Sequence, residues 1–243
     1  MISTLAMLLC TSFLVDDPSP EKPPKPTSHV RRVIEGWTVF VDERLLAREH
    51  EELGTRAVGL VESGLRIIAA TVPKRRVDEL RRFEIQIDLS HGELVSPQYH
   101  PSKGWLESHG YASALEKRIH IPDARYFTRS RFQRDQPSGL LHELAHAYHD
   151  QILGNDHAGI RAAFARVRES KRFEKVLHVD GHTTRHYALS NPQEFFAEMT
   201  ESYLGRNDFA PFNPAELERD EPEIAALMKS IWLAPSDRRF DDK

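Results

Sequence analysis

One pentapeptide constrains this chain more than any other feature: His142-Glu143-Leu144-Ala145-His146. Imidazoles four residues apart on an α-helix lie about 40° apart around the axis and about 6 Å apart along it. Two such rings can therefore face one ion, and Glu143, one position on, turns toward the space beside it. Chance produces the pattern in roughly one shuffled sequence in sixteen, so its surroundings must carry the argument. Pro137 suits a first helical position and Gly154 a left-handed stop, which predicts a helix over about 137–153. Leu141, Leu144, Ala145, Tyr148 and Ile152 form its apolar stripe, and the two histidines flank that stripe. A surface helix with solvated histidines is the competing reading.

Composition narrows the partners. The 243 residues fit one domain able to bury a sizeable core. A net charge of -4 argues against a general nucleic-acid binder, which is usually strongly basic. Cys10 is the only cysteine, which excludes a disulfide framework and a cysteine-rich zinc site. Thirteen histidines raise the expectation of a metal site without locating it.

The apolar run Ile2 to Val15 has the length of a signal-peptide core and is too short to span a membrane. No Lys or Arg precedes it and no Ala-x-Ala follows. Residues 1–15 are read as a signal peptide and the protein as extracytoplasmic or secreted; an apolar N-terminus on a cytoplasmic protein is the alternative. Five prolines between Pro18 and Pro26 make residues 16–28 an extended linker, leaving one domain over 29–243.

Within that domain Trp37 to Val41 has strand character, and Ala57, Val61, Leu65 and Ile68 recur at helical spacing. Pro73 opens a short helix carrying Val77 and Leu80. Phe83, Ile85, Ile87 and Leu89 alternate with Glu84, Gln86 and Asp88, the pattern of a half-buried strand, and Lys117 to Ile121 suggests another. Ile160, Ala163, Phe164 and Val167 mark a helix; Ala225, Ala226 and Met228 lie in a last one. Strands early and helices late predict an α+β fold with a small mixed sheet.

A catalytic zinc takes three protein ligands and leaves one position to water. Downstream, Asn191 and Pro192 suit an N-cap and first helical position, starting a helix that runs to Gly205. Phe195, Phe196, Met199 and Tyr203 occupy one side of it; Glu194, Glu198 and Glu201 occupy the other. Spacing alone leaves three readings open. Glu194 could bind metal, it could close a capping box with Asn191, or the glutamates could form a solvated stripe.

His142 to His146, followed by Tyr187-Ala-Leu-Ser-Asn-Pro-Gln-Glu194-Phe-Phe-Ala-Glu198, resembles the catalytic domain of the anthrax lethal factor type of zincin metallopeptidase. The resemblance covers about 142–204. It implies a zincin-like domain in which His142, His146 and Glu194 hold Zn2+, Glu143 is the general base, and Tyr187 stabilises the developing oxyanion. Glu198, one turn after Glu194, would orient a histidine ligand. The implied activity is zinc-dependent endopeptidase cleavage of a peptide or protein substrate. The alternatives are a zinc- or partner-binding domain that cleaves nothing, and a hydrolase acting on another bond. A metzincin is excluded, because His149 and Ile152 stand where that family has its glycine and third histidine.

Three further expectations concern the surroundings. His149 is read as a cleft-wall residue or a support for the ligands, with plain solvation as the alternative. His178, His182 and His186 could each bind metal or donate to an oxyanion. The Phe83 to Leu89 strand is the candidate edge along which an extended substrate lies.

Overall fold

A computed structural model describes residues 23–233. The apolar run read as a signal peptide, and residues 16–22 of the linker, lie outside the described residues. The rest of the linker is docked on the body. The Pro24 carbonyl accepts from the Ser90 hydroxyl at 2.7 Å, and the Lys25 ammonium lies 4.7 Å from the centre of the Tyr111 ring.

The fold is mixed α+β. Strands β1 (His29–Ile34) and β2 (Trp37–Asp42) form a hairpin. Helices α1 (Glu51–Thr71) and α2 (Lys74–Leu80) then cross to β3 (Ile85–Ile87), which runs parallel to β2. Next come β4 (Gln98–Tyr99), α3 (Lys103–Ser108) and β5 (Ile119–Ile121). β5 is parallel to β3 and antiparallel to β4, so the sheet order is β1-β2-β3-β5-β4. Helices α4 (Ala124–Phe127), α5 (Ser130–Asp135), α6 (Gly139–Tyr148) and α7 (Ala158–Ser170) follow. A two-residue hairpin, β6 (Val176–Leu177) with β7 (Thr183–Thr184), precedes α8 (Pro192–Leu204), α9 (Pro214–Asp220) and α10 (Pro222–Trp232). No helix among the described residues is long and apolar enough to cross a membrane.

The periodicities read from the sequence are the buried faces. α1 buries Ala57, Val61, Leu65 and Ile68, and α7 buries Ile160, Ala163, Phe164 and Val167. The alternation across Phe83 to Leu89 behaves differently. Only Ile85–Ile87 pair, between β2 and β5 at the centre of the sheet, and both faces are buried. The strand is therefore neither half-exposed nor an edge. Its polar residues turn into a hydrogen-bonded cluster instead of water: the Gln86 amide donates to both Asp88 oxygens at 3.0 and 3.2 Å. The edge on the site side is β4.

The HExxH segment lies on α6. The regular helix is shorter than the sequence predicts. It starts at Gly139 and passes through a π-helical turn, His149–Leu153, before Gly154 ends it at φ 81°. Leu144, Ala145 and Tyr148 are buried, and aromatic rings tie α6, α8 and α10 together: Tyr148 and Trp232 stand 4.7 Å apart and Phe196 stacks on Trp232. Gly205, at the end of α8, lets the two helices close up. A Cβ there would stand 2.6 Å from the Ser138 hydroxyl at the start of α6. Truncating one of these buried aromatics costs about 3–5 kcal/mol, and the crossing of α6 and α8 depends on them.

Candidate metal centre

α6 supplies His142 and His146, and α8 supplies Glu194. The two Nε2 atoms are 3.0 Å apart, and Glu194 Oε2 lies 3.1 Å from one and 3.2 Å from the other. These atoms form a nearly equilateral triangle. Its edges approach the roughly 3.3 Å edge of a tetrahedron with metal bonds of about 2.0–2.1 Å. The competing capping role of Glu194 is resolved by its own helix start. Its backbone N–H is held by the Asn191 side chain at 2.8 Å, while its carboxylate is turned to the histidines.

The donor set fits a cation. His142 Nδ1 donates to Glu201 Oε1 at 2.6 Å, which leaves the Nε2 lone pair of a neutral ring facing His146 Nε2 and the Glu194 carboxylate. Lone pairs so arranged repel unless a positive charge sits between them. The titration behaviour says the same. Burial disfavours a charged His142, yet its hydrogen bonds with Glu194 and Glu201 hold its pKa well above the ordinary value. Burial would raise Glu194, but the hydrogen bonds from His142 and His146 outweigh it and bring the carboxyl to about 2. A proton on His142 thus occupies the electrostatic role that an ion at the triangle would take over.

Glu201, not Glu198, makes the direct hydrogen bond behind His142; Glu198 Oε1 stays 3.8 Å from the same nitrogen. The carboxylate two turns after Glu194 meets the ring where α6 crosses α8, and a one-turn offset falls short. Neither glutamate is part of a solvated stripe, for both are buried and each keeps one oxygen without a hydrogen-bond partner among the described residues. Burial raises both carboxyls.

Glu143 opens on the same cleft, about 640 Å³ in volume, as the three candidate ligands and Tyr187. The Tyr99 backbone N–H, on edge strand β4, donates to Glu143 Oε2 at 2.7 Å. Burial raises the Glu143 carboxyl, with the nearby histidines and this N–H pulling the other way. Tyr99 is fixed in turn by its hydroxyl, which donates to Asp150 at 2.5 Å beside the Lys117 ammonium. Tyr187 sits in a single helical turn before α8, 49% exposed, with its ring toward the cleft.

The other histidines stand apart from the cleft. His149 is 1% exposed, packs its edge on Phe196 at 5.1 Å, and both ring nitrogens lack hydrogen-bond partners among the described residues. It is neither a cleft wall nor solvated, and burial lowers its pKa to about 4. His186 is sandwiched between Phe173 and Phe209, and burial lowers it to about 3. His178 and His182 share Asp180 in the β6–β7 hairpin. Sequence reasoning missed Tyr99, because no pattern ties a backbone amide to a base 44 residues away.

Comparison with family models, curated proteins and solved structures finds no match for this chain.

Proposed function

We propose that this chain is a zinc-dependent endopeptidase on a zincin-like fold, related in design to the lethal factor type that its motif segment resembles. The observation that carries the reading is the triangle of His142 Nε2, His146 Nε2 and Glu194 Oε2, with 3.0–3.2 Å edges, opening on the cleft that Glu143 also lines. Two imidazoles and a carboxylate with an adjacent unligated glutamate are the side chains a hydrolytic zinc site uses.

Zinc bound there would lower the pKa of a water to about 7 and polarise the substrate carbonyl. Glu143 takes the proton of the attacking water and returns it to the leaving amine. The Tyr99 N–H steadies that carboxylate by donating to one oxygen, which leaves the other for proton transfer. The Tyr187 hydroxyl donates to the carbonyl oxygen as negative charge develops on it. Glu201 keeps His142 in one tautomer and one orientation.

An extended substrate lies along β4, whose free edge borders the cleft. The backbone groups of His100 bond to Arg118 and Lys117, just before β5, so those of its neighbour Tyr99 point the other way, its N–H to Glu143.

The test is cleavage of a peptide library by the metal-loaded chain, with and without chelator. Chelator-sensitive cleavage is expected. No cleavage at all would leave a metal- or partner-binding domain, and cleavage indifferent to chelator would reject the zinc mechanism.

A further inference from the structure

A second set of metal-ligating side chains converges away from the cleft, around Asp88. This aspartate directly follows β3, and its side chain is fully buried. His29, the first residue of β1, donates from Nε2 to Asp88 Oδ1 at 2.7 Å. His91 Nδ1 and His120 Nε2 both donate to Asp88 Oδ2, at 2.6 and 2.7 Å. His120 is the middle residue of β5, and its other nitrogen, Nδ1, lies 3.0 Å from His100 Nε2. His91, His100 and His120 are all buried, and none of these residues lines the cleft.

Three imidazoles meet this one carboxylate beside the Gln86 amide, a concentration of metal-ligating nitrogens that hydrogen bonding alone does not call for, since backbone or amide donors satisfy a buried aspartate equally well. Two ring nitrogens aim at the same oxygen, and the ligand atoms of Asp88, His91 and His120 lie within 4.8 Å of one another. Among the described residues His91 Nε2 is buried without a hydrogen-bond partner, so Asp88 is that ring's one hydrogen-bond contact there. His120 is held from behind by His100, as ligating imidazoles commonly are.

We propose that Asp88, His91 and His120 form a second site for a divalent transition metal of the zinc class, with His29 as fourth ligand. Nitrogen and carboxylate donors with no thiolate, four in number, suit a closed tetrahedral ion that serves structure.

Binding displaces the N–H protons that now face Asp88. Each ring keeps one proton on its far nitrogen, and any excess proton leaves to water. The present 2.6–2.7 Å separations are hydrogen-bond distances, and they widen by about half an ångström around an ion. The His29 side chain, 21% exposed, gives the ion its way in. Once bound, the metal ties β1, β3 and β5 together. Through His100 it also braces β4, whose Tyr99 N–H holds Glu143.

Metal counting on the full chain tests this without any activity assay. The protein is stripped with chelator, reloaded with Co2+ alone and measured by elemental analysis and visible absorption. Two equivalents are expected in the parent chain and one in the His142→Ala/His146→Ala variant. The retained ion should show the bands of four-coordinate cobalt and vanish when His91→Gln is added. One equivalent in the parent, lost entirely in the double variant, overturns the second site and leaves the catalytic reading standing. One equivalent that survives the double variant and is lost with His91→Gln supports the second site and rejects the first. His29→Gln, at a partly exposed position, guards against misfolding of the buried variants. It should weaken cobalt binding in the double variant about tenfold, and unchanged binding would count against His29 as a ligand.

Discussion

The His142 and Asp88 clusters use the same side chains and differ in almost everything else. Around His142 the ligating atoms stand 3.0–3.2 Å apart, border a cleft, and converge on a point that calls for a proton or an ion. Around Asp88 the three imidazole separations are 2.6–2.7 Å, each runs from an N–H to the carboxylate, and the cluster is buried between strands except at His29. The first arrangement is unstable without a positive charge and open to a reactant. The second holds together by hydrogen bonds alone and admits only an ion. Under the two proposals, access and the direction of the protons, not residue type, separate a reactive site from a structural one.

The largest effect that would sharpen this contrast comes from Glu143→Gln. It should lower peptide cleavage by about a thousandfold while metal content stays unchanged. Retained activity would mean that the open cluster works through another base. Tyr187→Phe comes next, with an expected loss of about a hundredfold in kcat and little change in KM. An equal loss in binding would make this tyrosine a contact residue only. Glu201→Gln should weaken metal affinity at the open site about tenfold to a hundredfold, measured by competition with a chelator dye. A variant with parental affinity would return the orienting role to Glu198.

The smallest effect concerns acid stability. Burial depresses His100 and His186 to about 3 and His149 to about 4 in the folded chain, from an ordinary 6.5. Below pH 6.5 the unfolded chain binds protons that the folded chain refuses. The stabilisation is complete above that point and is lost as pH falls toward 3–4. In metal-free protein this loss is opposed by His142, Glu143, Glu198 and Glu201, whose raised pKa values make the folded chain take up protons on acidification. The share of the three rings is therefore read by difference: a His149→Phe/His186→Phe variant should lose several degrees less between pH 7 and pH 5 than the parent, at roughly 2–4 °C per kcal/mol. An equal drop in variant and parent would mean these rings gain protons in the folded state.

Legibility followed sequence distance. α1 and α7 could be read because an amphipathic helix states its buried face within a few turns. His142 and His146 could be paired because one helix sets their spacing. Glu194 came only by resemblance, since its helix offered three carboxylates and spacing could not choose among them. The strand at Ile85–Ile87 was misplaced because an alternating pattern looks the same whether its polar face meets water or a buried network. His149 was misjudged for the same reason: a polar ring on a helix carries no mark of which neighbour covers it.

What the sequence determined by itself is local: helix starts and stops, apolar faces, and two imidazoles on one turn of helix, all fixed by backbone geometry over a few residues. Tertiary structure alone decided that Glu201 rather than Glu198 reaches His142, that a Tyr99 amide holds Glu143, and that residues from three strands meet at Asp88. Those contacts span 3 to 59 residues, most of them more than 30. They depend on how helices cross and strands order, which the packing of the whole core sets and no short stretch of chain records.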